Sequence, residues 1–421
     1  MTERQSEKNT FIPTYNLAAK ISEKSQKDSP QIISNRHYLH KHPETGFDLT
    51  ETLTYVKKEL QDMGYAPIPC GKAGLVALAG GKKPGKVFLL RADMDALPIK
   101  EEAEIDFAST NGNMHACGHD MHTAMLLEAA RILKTYENEI NGTVKLMFQP
   151  AEEILEGSFD MLQNGVLKNP AVDAGLMIHV MTGMPFPSGT AIVSDGGVSA
   201  PAADYFTIEI QGKGCHGSMP NTGIDPITIA SHIIIALQEI HARELNLMDK
   251  AALTIGSFFA GKAANIIPDK AILQGSLRAF DEEVRNQIKN RMTEIAIHTA
   301  EAFRAKATVT FGSGCPTLYN DAELSACTLK YIQELNGSQM AFTASQLEAK
   351  SDDKAKNAGG SEDFAYISHK IPTIMLALTA GQPEEDFQYP LHHPKAKFDD
   401  KALSTGAAVY AYTALRWLEE H

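Results

Sequence analysis

The sequence predicts an α/β domain, in which helices cover both faces of a sheet, and a ferredoxin-like α+β domain inserted into it. Two observations support this prediction. Through the first half of the chain, short apolar runs typical of strands alternate with helical patterns, which indicates a sheet covered by helices. From about residue 200 the order becomes β-α-β-β-α-β, the ferredoxin-like plan, and the earlier alternation resumes after Pro316.

The first predicted elements are helices, and strands follow them. Apolar residues at helical spacing predict a helix from Gln31 to the residue before Pro43, where proline ends it. A second helix is predicted over residues 50–63, and Gly64 follows as a typical end signal. The remaining elements of this domain are strands over 75–79, 87–90, 144–148, 176–180 and 374–378, and helices over 121–136, 159–164 and 402–418. The inserted domain is predicted to contain strands over 205–210, 253–260, 271–279 and 308–311, and helices over 226–242 and 282–303.

These patterns divide the chain into three parts. They are a polar leader (residues 1–30), a first domain built from two segments (31–199 and 315–421) and the inserted domain (200–314). The leader is expected to be partly helical around Leu17 to Ile21. The charged stretch from 348 to 357 is predicted to be a loop. A chain of 421 residues is long enough for two ordinary domains.

Composition limits the possible partners and location. The net charge of −13 argues against a nucleic-acid partner, because phosphates would be repelled. No window approaches the ~20 apolar residues of a membrane-spanning helix, so no membrane association is expected. The five cysteines are odd in number and scattered, which fits a reducing compartment, and we predict a cytoplasmic protein.

Polar side chains follow three predicted strands of the first domain. Asp93 and Asp95 follow one strand, Glu152 and Glu153 follow another, and His179 ends a third. In open α/β sheets the carboxyl ends of the strands form the edge where ligands bind. These side chains are therefore expected to meet in one crevice.

A thiol and an imidazole are expected to join that crevice. Cys117 and His119 are two positions apart, so both can reach one metal ion from a turn, and Gly118 between them allows the tight backbone. Together with the strand-end residues they predict a hydrolytic metal site. His115 and His122 flank this pair, and for both we favour a structural or supporting role over a ligand role.

Several residues keep two interpretations on spacing alone. Glu152 and Glu153 form a solvated turn or, in a metal site, one binds the ion and the other takes a proton from metal-bound water. His179 is a core histidine or a ligand, and the adjacent His392 and His393 belong to a surface loop or supply a ligand. The two aspartates, Asp93 and Asp95, either form a turn or orient metal ligands through hydrogen bonds.

Six segments resemble, in order, motifs of the aminoacylase and carboxypeptidase family of two-metal peptidases. The likeness is to its amidohydrolase branch, which includes N-acyl-amino-acid amidohydrolases, hippurate hydrolases and auxin-conjugate hydrolases. The segments are RHYLHKHPE (36–44), RADMDALPI (91–99), HACGHDMH (115–122), FQPAEE (148–153), GCHGSMP (214–220) and GGSEDF (359–364). The resemblance implies a mixed sheet in a catalytic domain, with the inserted domain as lid and dimerisation domain.

The resemblance also implies the cofactors and the ligand set. Family members hold two divalent ions, and a thiolate ligand suits Zn, Ni or Co, although Mn is often associated with the branch. The implied ligands are Cys117, His119, Glu153, His179 and His392. Glu152 is the implied general base on a metal-bound water. His392 is preferred to His393 because the family pattern is His-x-Pro.

Three residues of the inserted domain receive roles from the same resemblance. His216 is implied to reach a neighbouring subunit's active site and to steady the tetrahedral oxyanion, with Asn265 helping. Arg278 resembles the position that grips a substrate carboxylate, which a guanidinium binds in bidentate fashion. The alternatives are a loop histidine, a turn asparagine and a surface charge on a strand.

The implied activity is hydrolysis of the amide bond of N-acyl amino acids or related small conjugates by a homodimer or higher homo-oligomer. Two alternatives stay open. One is a dipeptidase or carboxypeptidase on the same scaffold, which differs in what lies on either side of the amide. The other is a metal-binding protein without catalysis, which the presence of Glu152 and all five implied ligands disfavours.

Overall fold

The computed structural model describes residues 14–348 and 360–421. Residues 1–13 of the predicted leader and most of the predicted 348–357 loop lie outside the described residues. The helices are α1 (Thr14–Lys27), α2 (Ser29–Lys41), α3 (Thr50–Asp62), α4 (His119–Thr135), α5 (Gly157–Gln163), α6 (Pro226–Glu239), α7 (Glu282–Ala302), α8 (Ala322–Asn336), α9 (Ala344–Glu348), α10 (Ala365–Ser368) and α11 (Lys401–Glu420). The strands are β1 (Ile68–Cys70), β2 (Gly74–Gly80), β3 (Val87–Asp93), β4 (Thr143–Gln149), β5 (Ala174–Met181), β6 (Ala191–Val193), β7 (Gly197–Ala200), β8 (Ala202–Gln211), β9 (Cys215–His216), β10 (Ala251–Ala260), β11 (Ile266–Ile267), β12 (Lys270–Ala279), β13 (Lys306–Cys315), β14 (Leu318–Asn320), β15 (Ala341–Thr343) and β16 (Thr373–Thr379). Within these ranges, none of the helices is long and apolar enough to cross a bilayer.

The main sheet has eight strands in the order β1-β2-β4-β3-β5-β16-β6-β15. Its central strands β4, β3, β5 and β16 are parallel, whereas β2 pairs with β4 and β6 with β16 in antiparallel fashion. The sheet is therefore mixed, as predicted. Every residue of β3 and of β4 is buried, which is typical of a strand covered on both faces.

Helices cover both faces of this sheet, which confirms the predicted α/β class. Phe88 and Leu90 of β3 pack with α4 and α11 in the larger apolar cluster. Leu89, between them, points to the opposite face and packs in a second cluster with Met161 of α5 and Ile367 of α10. The alternation follows from the two-residue period of a strand.

A second sheet lies within residues 202–315. Its four strands are antiparallel in the order β10-β12-β8-β13, and α6 and α7 complete the β-α-β-β-α-β plan. Its buried side chains form an apolar cluster of their own, which includes Ile208, Ile233, Leu273 and Met292. The roles of this segment as lid and dimerisation domain stay predictions.

The described part of the predicted leader differs from the expectation. Residues 14–27 form helix α1, in which Ala18 and Ile21 are buried in the main cluster. The hydroxyl of Ser25 donates to the carbonyl of Ser404 on α11 at 2.6 Å. The helix expected around Leu17 to Ile21 is longer than predicted, and α1 packs as part of the main domain rather than as a separate leader.

Candidate metal centre

The parallel order β4-β3-β5 brings the carboxyl ends of three strands to one edge. Asp93 ends β3 and lies opposite Gln149, the last residue of β4. Glu152 and Glu153 follow β4 by three and four residues, and His179 lies near the end of β5. Helix α4 begins at His119 directly after Gly118, whose backbone has a φ of 84°. The connectivity thus places the side chains as the sequence order indicated.

The thiol of Cys117 lies between two imidazoles. Its Sγ is 3.5 Å from Nε2 of His179 and 3.2 Å from Nε2 of His392. Nε2 of His392 is in turn 3.5 Å from Oε2 of Glu153. Cys117, Glu153 and His392 therefore present a sulfur, an oxygen and a nitrogen atom to one small space.

The imidazole of His119 lies at the other side of the same space. Its Nε2 is 3.8 Å from Oε1 of Glu153, 4.0 Å from Oε2 of Glu152 and 3.6 Å from Oδ2 of Asp93. Both Nε2 of His119 and Oε1 of Glu153 are buried and have no hydrogen-bond partner. Such orphaned polar atoms are costly, and a bound cation would satisfy them.

The hydrogen bonds of the ring nitrogens fix which atom faces the cluster. Nδ1 of His119 donates to the carbonyl of Asp95 at 2.8 Å, and Nδ1 of His179 donates to the carbonyl of Val180 at 2.8 Å. The Nε2 atoms of both rings are thereby left with their lone pairs toward Cys117 and Glu153. This outer support is typical of metal-ligating histidines.

Asp95 and Asp93 support different parts of the cluster. The carboxylate of Asp95 accepts hydrogen bonds from the backbone N–H groups of Glu152 at 2.9 Å and Glu153 at 3.2 Å. Asp93 accepts from Nδ1 of His122 at 2.6 Å. Nε2 of His122 accepts from the backbone N–H of Val180 at 2.8 Å, so neither nitrogen of His122 is free for an ion.

The backbone selects His392 over its neighbour. His392 has a φ of 64°, in the left-handed region, and its N–H donates to the carbonyl of Ala116 at 2.9 Å. This conformation is costly for a residue with a Cβ and directs the ring to Cys117. The ring of His393 instead stacks on Tyr389, with 4.5 Å between the ring centroids.

Burial and mutual repulsion set the charges of the cluster. Burial, followed by the charge of Glu362, raises the pKa of Glu152 well above its ordinary value. Burial likewise raises the pKa of Glu153 to about 7, and it raises that of Cys117, with Glu153 adding to the effect. Burial lowers the pKa of His179 to about 3. The donors are thus a neutral imidazole and acidic groups whose deprotonated forms need a compensating positive charge, which fits a divalent ion.

Comparison with known proteins identifies the family of the chain. Residues 89–416 match Peptidase family M20/M25/M40. The chain belongs to this family. A Bacillus subtilis relative named N-acetyl-L-cysteine deacetylase is 36% identical over 393 residues, which cover 93% of this chain and 89% of the relative. A relative from Saccharolobus solfataricus named thermostable carboxypeptidase 1 is 33% identical, covering 95% of this chain and 99% of the relative.

A solved structure extends the likeness to the fold. It is a Bacillus subtilis protein described as a dinuclear metal binding peptidase from the M20 family. The TM-score is 0.74 at 31% identity, and the match covers 94% of this chain and 99% of that chain. The chain described here is accordingly an M20 hydrolase, and its fold resembles that of a solved M20 relative over most of its length.

The sequence did not identify a buried ion network behind the M20 cluster. Arg91 is 1% exposed, and its guanidinium donates to Asp93, Gln149 and Glu362, each at 2.8 Å. It also donates to Asp363 at 3.2 Å. An arginine inside an otherwise apolar strand was the available signal, because a buried guanidinium needs carboxylate partners.

The inserted-domain candidates occupy two separate places. His216 lies on β9, which pairs with β11, and the exposed Asn265 directly precedes β11. In the described residues no hydrogen bond or ion pair joins His216 to the metal-ligand candidates. Arg278 on β12 reaches the main domain instead, where its Nη1 donates to the hydroxyl of Ser361. Its Nη2 donates to the hydroxyl of Tyr205 at 3.1 Å. Because Ser361 precedes Glu362, Arg278 lies at the rim of the cluster.

Proposed function

We propose that this M20 hydrolase cleaves the amide bond of N-acyl amino acids or related small conjugates. The observation that carries the proposal is the position of Glu152, a buried carboxylate adjacent to the donor cluster, whose Oε2 lies 4.0 Å from Nε2 of His119. The relative named for N-acetyl-L-cysteine deacetylation supports the substrate class. The proposed ligands of two divalent ions are Cys117, His119, Glu153, His179 and His392.

Five side chains are too few for two separate four-coordinate ions, so ligands are shared or water completes the shells. Two ions held by these five side chains would act as Lewis acids toward the scissile carbonyl and would lower the pKa of a water molecule toward neutrality. The sulfur ligand makes the site soft, which suits Zn, Ni or Co, with Mn as the remaining candidate. Deprotonation of Cys117 accompanies binding, because the thiolate is the metal-binding form.

Glu152 is the proposed general base. Its carboxylate takes the proton of the attacking water and returns it to the nitrogen of the leaving amine. Burial and the charge of Glu362 raise the pKa of Glu152, which favours the protonated form that must act as the acid. The backbone N–H of Glu152 donates a hydrogen bond to the carboxylate of Asp95, which holds the backbone at this point. The carboxylate of Glu152 therefore keeps its place while its proton moves.

The inserted sheet is proposed to provide the remaining contacts. Arg278, already held at the rim by Ser361, grips the substrate carboxylate through its guanidinium. His216 of one subunit, helped by Asn265, steadies the oxyanion in the active site of another. The exposed position of His216, away from the cluster of its own chain, supports this arrangement.

A homodimer or higher homo-oligomer is therefore part of the proposal. Strand β10 is an edge of the second sheet, and Phe259 on it is 60% exposed. Ile235 on α6 is 69% exposed. An unpaired edge with exposed apolar side chains is a surface that a second copy can cover. We also propose a cytoplasmic location, which the five free cysteines support.

Replacement of the proposed base tests the mechanism. Glu152→Gln is expected to lower kcat by about 10²- to 10⁴-fold, the usual contribution of a general base, while metal content stays unchanged. The substrates are N-acetyl and N-benzoyl amino acids, assayed with each divalent ion supplied in turn. Glu156→Gln is the matched control, because Glu156 lies in the same loop outside the donor groups of the cluster. Activity of Glu152→Gln within about tenfold of the original would refute the role.

A dipeptidase or carboxypeptidase is the second candidate function. The carboxypeptidase name of the archaeal relative favours it. The rim position of Arg278 is compatible with both functions, because the substrates of both carry a free carboxylate. A panel that adds N-aminoacyl substrates to the acylated ones separates the two functions. Preference for a free amino group on the residue before the amide would select the peptidase.

A further inference from the structure

The loop that carries His216 has a well-defined backbone. Strand β9 pairs with β11, so that His216 lies opposite Ile266. The N–H of Gly217 donates to the carbonyl of Asn265 at 2.8 Å, and the N–H of Met219 donates to the carbonyl of His216 at 2.8 Å. A Cβ at Gly217 would lie 2.9 Å from the carbonyl oxygen of Asn265, so glycine permits this close approach. The tight turn therefore fixes the backbone position from which the imidazole of His216 extends.

Ser218 then determines how the ring is protonated. Its backbone N–H lies 3.1 Å from Nδ1 of His216, and its hydroxyl oxygen lies 2.7 Å from the same nitrogen. A peptide N–H can only donate, so Nδ1 must offer its lone pair. The hydroxyl can turn its hydrogen to the same lone pair. A neutral imidazole carries one proton, which is thereby placed on Nε2.

We propose that Ser218 is a positioning residue that holds His216 in the tautomer protonated on Nε2. The purpose of this arrangement rests on the proposed function, in which His216 donates a hydrogen bond to the developing oxyanion. The other tautomer would turn a lone pair toward a negatively charged oxygen and repel it. With Nδ1 occupied by the loop, the remaining nitrogen of this exposed ring reaches the substrate as a hydrogen-bond donor, before any substrate is bound.

The tautomer of His216 can be measured without any assay of activity. The ¹⁵N spectrum of the intact protein labelled in histidine distinguishes protonated from unprotonated ring nitrogens, and the His216→Asn variant assigns the signals. The native protein is expected to show the proton on Nε2. Ser218→Ala removes one of the two donors and is expected to raise the population protonated on Nδ1 by about three- to tenfold. The same variant should lower kcat by a similar factor with little change in KM, and Ser218→Thr, which keeps a hydroxyl, should restore both.

A neighbouring hydroxyl provides the control. Thr222 donates to the carbonyl of Met219 at 2.8 Å in the same loop without touching the imidazole. Thr222→Val should leave the tautomer and kcat unchanged. An effect equal to that of Ser218→Ala would show that Ser218 only supports the structure of the loop. An unaltered ¹⁵N pattern in Ser218→Ala overturns the inference. If the pattern shifts but His216→Asn turns over substrate at the original rate, the proposed oxyanion role of His216 is refuted, while the assignment of the tautomer to Ser218 is upheld.

Discussion

At the scale of single residues, the metal cluster depends on backbone conformations that most side chains avoid. Gly118 has a φ of 84° and lies directly between Cys117 and His119. A Cβ at this position would be 2.3 Å from Cγ2 of Val180 on β5. Space and conformation therefore both require glycine where the thiol and the imidazole must turn toward one point.

Gly118→Ala is expected to reduce stability and metal content together. The left-handed backbone and the collision with Val180 together cost about 2–4 kcal/mol, and relief of the collision would move both ligands. Gly112→Ala is the matched control, because Gly112 has a φ of 91° with no atom near the added Cβ. It should lose only about 1 kcal/mol and keep its metal. Chemical denaturation and metal analysis test both variants, and equal losses would contradict the role of the collision.

The residue scale also shows what sequence patterns can and cannot give. Asp93, Glu152 and His179 were found because each follows an apolar strand, and parallel strands bring such positions together. The choice between His392 and His393 was open on spacing alone. It depends on the φ of 64° at His392, and local residue preferences do not predict this value, because a residue other than glycine rarely adopts a left-handed backbone conformation.

At the scale of elements, buried charges join α2 and α4, which also pack in the same apolar cluster. Arg36 and His40 on α2 both bind the carboxylate of Asp120 on α4, at 3.0 and 2.9 Å. His40 also contacts Glu101 at 3.1 Å. Asp120 follows His119, so this ion network holds the start of α4 from the side away from the metal-ligand candidates.

The His40 contacts predict a pH dependence of stability. Burial alone would lower the pKa of His40, but Asp120 and then Glu101 raise it from the ordinary 6.5 to about 9. The folded protein therefore holds the proton more tightly than the unfolded chain. The resulting stability is fully present below pH 6.5 and is lost as the pH rises through about 9, by up to about 3 kcal/mol.

Denaturation curves between pH 6 and 10 test this prediction. His40→Gln should flatten the decline of the unfolding free energy over that range. His298→Gln, at an exposed position on α7, should leave it unchanged. A decline that is equally steep in His40→Gln would show that other groups cause it.

Element prediction succeeded where the apolar period was strong and was incomplete where an element is short or mixes polar with apolar residues. The five strands predicted for the main sheet and the β-α-β-β-α-β order are observed, whereas the short strands β1, β6 and β15 of the main sheet were not predicted. Helix α8 was not predicted, and only the part of α1 around Leu17 to Ile21 was expected to be helical. Their places depend on partners distant in the chain, such as the carbonyl of Ser404 that accepts from Ser25.

At the scale of the whole molecule, the proposed active site needs two copies of the chain. Glu152 lies by the metal-ligand candidates of the main domain, whereas His216 is exposed on the second sheet. The lid and dimerisation roles were suggested by resemblance, and no local pattern could supply them, because they depend on a surface formed only after both sheets fold. The exposed edge strand β10 is the candidate contact between copies.

Mixed oligomers test this arrangement. Glu152→Gln and His216→Ala should each be nearly inactive alone. Co-expressed in equal amounts, they should regain about a quarter of the original activity, since half of the dimers are mixed and each mixed dimer has one intact site. Adding Phe259→Lys to both chains should disrupt the edge and abolish the recovery. A purified mixed dimer without activity would contradict the sharing of sites.

The discontinuity of the main domain has a consequence for how the protein is made. Cys117 and His392, whose side chains touch, are 275 residues apart. At a synthesis rate of ~5–20 residues per second, a ribosome needs about 15–50 s to travel from one to the other. All four strands of the second sheet emerge in that interval and can pair among themselves. The nascent polypeptide thus carries a free Cys117 thiol while His392, the last of the proposed ligands along the chain, is still untranslated, so the full set of donors exists only once His392 has been made.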